Sequence, residues 1–197
     1  MRVLSLSLIF LFALAGPSLG ANPGEPATTV HGLLMNGAFA APLTNGWTES
    51  NNDIVGTGSV TTLIDGGAAV KKEQCGYRAL SQDVQLASTT MVFSTNAKFH
   101  AEASKPGYHA WSGVVLTYLN KEGKSLGTTT IGYATEEAGW HDTPTAHYIW
   151  AQKQDVFADY SVSIADELKT HLKSVSPTQV DRLRVEYKAF GSGTSSC

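Results

Sequence analysis

Residues 91–119 read MVFSTNAKFHAEASKPGYHAWSGVVLTYL. In the first half Met91, Phe93, Ala97, Phe99, Ala101 and Ala103 share one parity, and Asn96, Lys98, His100 and Glu102 share the other. Side chains along a strand alternate between faces, so the segment predicts one buried and one polar face. The turn 104–107, Ser-Lys-Pro-Gly, joins it to a second alternating run over 108–119. A four-residue hairpin loop would set Ala103 opposite Tyr108. That register places Phe99 across from Ser112, Ala97 across from Val114 and Phe93 across from Tyr118. On the polar face it places Glu102 by His109 and His100 by Trp111. Carrying the same parity across the loop 120–124 brings Tyr133 near Trp111.

Toward the N-terminus, Arg2, the apolar run 3–15 and the small residues Ser18-Leu19-Gly20 predict a signal peptide over 1–20, cleaved before Ala21. The expected localisation is therefore secreted, extracellular or periplasmic, and no membrane span is expected in the mature chain. Residues 21–32, rich in Pro, Gly, Ala and Thr, read as a flexible leader. The remainder of the chain is long enough for a single domain with its own core. The net charge is −3 and charged residues make up 16 % of the chain, which excludes the basic footprint of a nucleic-acid binder. Of the two cysteines, Cys75 sits early and Cys197 is the last residue. In an oxidising compartment they predict one disulfide, closing a loop worth about 4–5 kcal/mol by chain entropy.

A first strand-like piece is read at 33–35, turned by Asn36-Gly37, and short β-branched or alternating runs recur at 59–64, 68–71, 79–86, 125–134, 146–152, 160–164 and 179–190, separated by turn residues. One helix is predicted near 164–175, with Ser163 as cap, Asp166 and Glu167 in its first turn, and Pro177 beyond its end. The expected fold is all-β: an antiparallel β-sandwich of the jelly-roll type over 33–191, with one short surface helix and a tail 192–197.

The stretch LLMNGAFAAPLTNGW, residues 33–47, resembles the opening of galactose-binding-like jelly rolls, notably secreted carbohydrate-binding modules. ALSQDVQL (79–86), MVFSTNAKFHAEA (91–103) and VDRLRVEYKAF (180–190) come in an order similar to that family's strands. The resemblance implies a jelly roll and a poly- or oligosaccharide partner. It also implies a structural calcium ion, because Asp181 matches the family's acidic residue in the last strand. The carboxylate that usually comes after the Phe of the opening turn is replaced by Ala40, so no cofactor is expected and calcium is the one candidate.

The polar face derived above gathers Lys98, His100, Glu102, His109, Trp111 and Tyr133. Aromatic rings stack on the C–H faces of sugars, and the other groups supply donors and acceptors for hydroxyls. Non-catalytic carbohydrate binding is the expected function, with Trp111 and Tyr133 stacking and Lys98, His100, Glu102 and His109 hydrogen-bonding. The alternatives are a small polysaccharide lyase or hydrolase using His100 or His109 as base, and a surface or matrix protein without a small ligand. The loop bearing Trp140, His141 and Asp142 is a second candidate, balanced between binding and plugging the core. Tyr148 and Trp150 cannot be assigned to a face, and one of them is expected in the core. Arg182, Arg184, Glu186 and Lys188 form a charged stripe that would extend the polar face if their strand neighboured that of His100. The six histidines are scattered along the chain, so no tight metal-ligand cluster is expected.

Overall fold

A computed structural model describes residues 33–63, 67–103, 105–135 and 140–192, together with the backbone of 9–12. It is mostly β. The strands are β1 (Ile9–Phe12), β2 (Thr48–Asp53), β3 (Gly58–Thr62), β4 (Ala68–Lys72), β5 (Gly76–Gln85), β6 (Val92–Lys98), β7 (His109–Leu119), β8 (Ser125–Ala134), β9 (Ala146–Trp150), β10 (Ala158–Ser163) and β11 (Arg182–Ser192). Among the described residues there is one α-helix, α1 (Ile164–Thr170), directly after β10. A six-stranded sheet has the order β2-β5-β11-β7-β8-β9, a three-stranded sheet the order β1-β6-β10, and β3 pairs with β4.

The last strand organises the large sheet. Leu183, Val185, Tyr187 and Ala189 are buried, while Arg182, Arg184, Glu186 and Lys188 take the other face, as alternation predicts. β11 pairs with β5 from Arg182↔Gln85 to Gly191↔Gly76, and on its other side with β7 from Arg182↔Leu119 to Ser192↔His109. The same alternation buries Ser112, Val114, Leu116 and Tyr118 of β7. A single hydrophobic core draws on these strands, on Phe93 and Ala97 of β6, on Val162 of β10 and on the helix.

Four expectations are corrected. The segments 91–103 and 108–119 are not hairpin partners: β6 lies in the three-stranded sheet beside β10, and β7 in the six-stranded one. An apolar face is satisfied equally by a neighbour in its own sheet and by a facing sheet, and here the chain changes sheet between 99 and 108. At the crossing, the Ser112 hydroxyl accepts the His100 N–H at 3.1 Å and donates to the His100 carbonyl at 2.9 Å. The sheet is not wholly antiparallel either, because β8 and β9 run parallel from Thr128↔Ala146 to Gly132↔Trp150. The helix ends at Thr170, short of 175; Leu172 and Val175 reach the core from the turns beyond it. Its cap is as expected, Ser163 Oγ accepting the Asp166 N–H at 3.4 Å. Ile164 and Leu168 are buried while Asp166 and Lys169 are exposed, as expected of a surface helix packed by one side.

The fourth correction concerns 33–35, expected to be strand-like. Residues 33–47 form a looped clasp instead. Asn36 and Phe39 adopt left-handed backbone (φ 51° and 53°). The Asn36 amide bonds the Ala41 N–H and carbonyl at 3.0 and 2.9 Å, and the Trp47 indole N–H donates to the Asn36 carbonyl at 3.1 Å. Phe39 stacks on Trp47, and both rings pack against Tyr187. The buried Gln82 of β5 anchors the clasp: Oε1 accepts the Met35 N–H at 2.7 Å, while Nε2 donates to the Met35 and Gly46 carbonyls at 2.9 and 2.7 Å. β2, unforeseen because its TESNND sequence is polar throughout, is an edge strand paired to β5 and tied by Arg78 to Glu49 and Asp53.

Cys75 is buried beside the start of β5; its expected partner, Cys197, lies outside the described residues.

Gln82→Leu removes three hydrogen bonds at once and leaves backbone groups of the clasp without partners. It should lower stability by about 1–3 kcal/mol or more, read as a shift in the urea midpoint with an unchanged slope. An unchanged midpoint would mean that the clasp does not depend on this amide.

Candidate functional site

The outward side of the large sheet carries the residues that alternate with the core. On β7 these are Trp111, Gly113, Val115 and Thr117; on β8, Ala134, Gly132, Thr130 and Thr128; on β9, Trp150 and Tyr148; on β11, Phe190 and Lys188. Across this surface runs a chain of half-buried rings. Tyr148 stacks on Trp150 (centroids 5.3 Å, planes 14° apart), Trp150 meets Trp140 at 6.1 Å, and Trp140 meets Trp111 edge-on at 5.7 Å. Phe190 closes the strip, 6.3 Å from both Trp111 and Trp140. Three of the chain's four tryptophans lie here.

Trp140, on the loop after β8, occupies the space between Trp111 and Trp150. That space exists because the intervening strand carries small residues: Ala134 is opposite Trp111, and Gly132 is opposite Trp150. Gly113 and Gly132 also face each other across the ladder. A β-carbon on either would come within 2.5 or 2.4 Å of a neighbouring carbonyl oxygen. Glycine is therefore required at both positions, and the floor beneath the rings is bare backbone.

Polar groups flank the strip. The Asp142 carboxylate accepts the Tyr148 N–H at 2.9 Å. Partial burial, with the Asp142 charge second, raises the Tyr148 phenol above its ordinary pKa. Lys188 lies 4.4 Å from the centre of the Tyr77 ring and 3.1 Å from Glu186. Arg184 is held by Asp83 through two bonds of 2.6 and 3.0 Å, which raise its pKa further.

The expected site residues divide among three places. Trp111 is on the outward face, and His109 shares its parity at the start of β7. Tyr133 is on the opposite, inward side, across from Ser112 and packed on the core. The cause is a β-bulge: the β7–β8 register shifts between Tyr118 and Leu119, so Trp111 faces Ala134 rather than Tyr133. Lys98 ends β6 of the three-stranded sheet, and His100 and Glu102 lie just beyond it on the segment that crosses toward β7. His100 Nδ1 lies 2.9 Å from Asp155 and its Nε2 lies 3.9 Å from Glu102, while Lys98 sits over Phe157 at 5.3 Å. His100 and Glu102 are thus neighbours as expected, but the His100 backbone is bonded to the inward-facing Ser112 and not beside Trp111 on the outward face. The charged stripe of β11 lies between β5 and β7 and has no border with β6.

Two parts of the strip are visible in the sequence without an assignment. Trp140 neither plugs the core nor stands alone, and both Tyr148 and Trp150 face outward, so neither is the expected core ring. Phe190 escapes the sequence reading; its parity with Lys188 in β11 is the available signal. Asp181, the calcium candidate, accepts the Gln85 amide at 3.0 Å and neighbours Arg182 at 3.5 Å. It is not part of any group of metal-ligating side chains among the described residues. No protein-family model matches the chain, and no curated protein is significantly similar to it.

Proposed function

We propose that the chain is a secreted jelly-roll sandwich that binds a poly- or oligosaccharide, without catalysis, on the outer face of its large sheet. The observation that carries this assignment is the strip formed by Tyr148, Trp150, Trp140, Trp111 and Phe190 outside the core. An apolar face of partly covered rings, with carboxylate, amine and hydroxyl groups at its margins, suits the alternating C–H faces and hydroxyls of a sugar chain. Four of the five rings are held on strands and all are braced by one another, so little ordering is needed on binding. The order β2-β5-β11-β7-β8, facing β6 and β10, is compatible with a jelly roll.

A glycan-binding screen of the mature protein tests the assignment. Trp150→Ala and Trp111→Ala should each weaken binding by about 1–3 kcal/mol, on the scale of burying an aromatic side chain, which is roughly 5- to 150-fold in Kd. His100→Ala, outside the strip, should leave affinity unchanged. Absence of any glycan ligand, or wild-type affinity in both tryptophan variants with unaltered thermal unfolding, would remove the proposal.

Export and a Cys75–Cys197 bridge belong to the same proposal. The ladder of β11 with β5 ends with Gly191 opposite Gly76, the residue after Cys75. Yet Ile9–Phe12, inside the expected signal, pairs with β6. N-terminal sequencing and thiol titration of the exported protein separate the possibilities: a chain starting at Ala21 with no titratable thiol is expected. A chain that retains Ile9, or two titratable thiols, would count against export through this signal or against the bridge.

A further inference from the structure

On the inner side of β9, away from the aromatic strip, three side chains converge that the scattered histidines of the sequence did not foretell. Glu167 and His171 are four residues apart on α1 and its cap, about one helical turn, and so share a face. His147 of β9 approaches them from the sheet. Its Nδ1 is 2.8 Å from Glu167 Oε2, and its ring stacks on that of His171 with centroids 3.7 Å apart and planes 7° apart. One nitrogen or carboxylate oxygen from each residue lies within 4.8 Å of the others.

The carboxylate is the telling member. Glu167 is only 7 % exposed. Among the described residues its one ion-pair partner is His147, with no lysine or arginine at ion-pair distance. A buried carboxylate needs compensating positive charge. It is also held in place: Thr129 Oγ1 donates to Oε2 at 2.9 Å, and the buried Tyr118 hydroxyl bonds Thr129 at 3.1 Å. Such a chain behind a ligand oxygen is the kind of outer support that fixes metal-ligating carboxylates. The mouth of the cluster is open, because His171 is exposed.

We propose that His147, Glu167 and His171 form a binding site for a divalent transition-metal ion of the zinc class, with a coordination position left to water. Two imidazoles and a carboxylate are a zinc donor set, whereas calcium and magnesium prefer oxygen throughout. Ligands of one zinc ion lie about 3–3.5 Å apart at metal bonds near 2.0–2.1 Å. The His147–Glu167 contact, at 2.8 Å, is already inside that spacing, all three donor atoms lie within 4.8 Å of one another, and a turn of the His171 ring out of its parallel stack would aim its nitrogen at the shared ion. His171, exposed and at the helix end, is the ligand free to close the remainder.

The test is titration of the untagged mature protein with zinc chloride by calorimetry, and with cobalt chloride by visible spectroscopy. Saturable uptake of one ion per chain is expected, with the intense visible bands of four-coordinate cobalt. His171→Ala, at an exposed position that leaves the fold intact, should weaken zinc affinity at least tenfold. Thr129→Val should weaken it by about tenfold or more through its support of Glu167, and His100→Ala should not change it. No saturable uptake by the wild type, wild-type affinity in His171→Ala, or an equal loss in His100→Ala would each overturn the site.

Discussion

The pleat of β11 is the constraint on which the rest depends. It pairs along nearly its whole length on both sides within the large sheet, and its inward residues, Leu183, Val185, Tyr187 and Ala189, are essentially inaccessible. A strand that slipped by one residue would bring Arg184 and Glu186 into the core. That slip is prohibitive, because unpaired buried charges cost far more than any gain in surface contact. The parity fixed at β11 is handed through the ladder to β7, then to β8 and β9. Trp111 faces outward because Leu116 faces inward. The bulge at Leu119 is where this inheritance is adjusted, and it decides that Ala134, not Tyr133, lies beside Trp111.

What is legible in the sequence is therefore local. Alternation in 91–98, 109–119 and 182–190 marks each strand's buried face, and Ser163 with Asp166 marks the start of the helix. The same alternation puts Trp111 on the polar side of its strand, where the structure has it. The identity of each strand's neighbour is not legible. The inward residues of β6 and β7 fit a hairpin and a facing pair of layers equally well, since both bury the same side chains. The bulge is hidden for a related reason: one extra residue in a turn-flanking segment changes no composition and no period, yet it flips every later partner. The polar β2 carries no hydrophobic signal at all, and the parallel pairing of β9 depends on a loop excursion rather than on residues of the strand.

β9 shows how much chemistry one short strand can separate. Tyr148 and Trp150 project outward into the ring strip, while His147 and Ile149 project inward, one to the carboxylate of α1 and the other to the core. As an edge strand held by a parallel ladder to β8 alone, it has few fixed contacts of its own. Its position is secured instead by side chains on both faces: ring stacking above, and the Glu167–Thr129–Tyr118 hydrogen bonds below. The two candidate sites are chemically unrelated, but each braces the strand that carries part of the other.

The same alternation explains why the rings can remain outside the core. Exposed tryptophans normally reduce their contact with water by folding down onto side chains of the sheet. Here Gly113, Gly132 and Ala134 offer almost no side-chain surface to fold onto, and the close approach of β7 to β8 forbids anything larger at the two glycines. The rings instead shelter against one another, which leaves one face of the strip toward solvent. Core packing is meanwhile closed by other aromatics: Phe39 and Trp47 of the opening clasp cap Tyr187, whose buried phenol is raised well above its ordinary pKa by desolvation. The fourth tryptophan thus serves the interior from a loop, and the other three, two on the sheet and one on the loop above it, are left to form a surface. That division of labour comes from where small residues sit opposite large ones across the ladder, not from any difference among the tryptophans themselves.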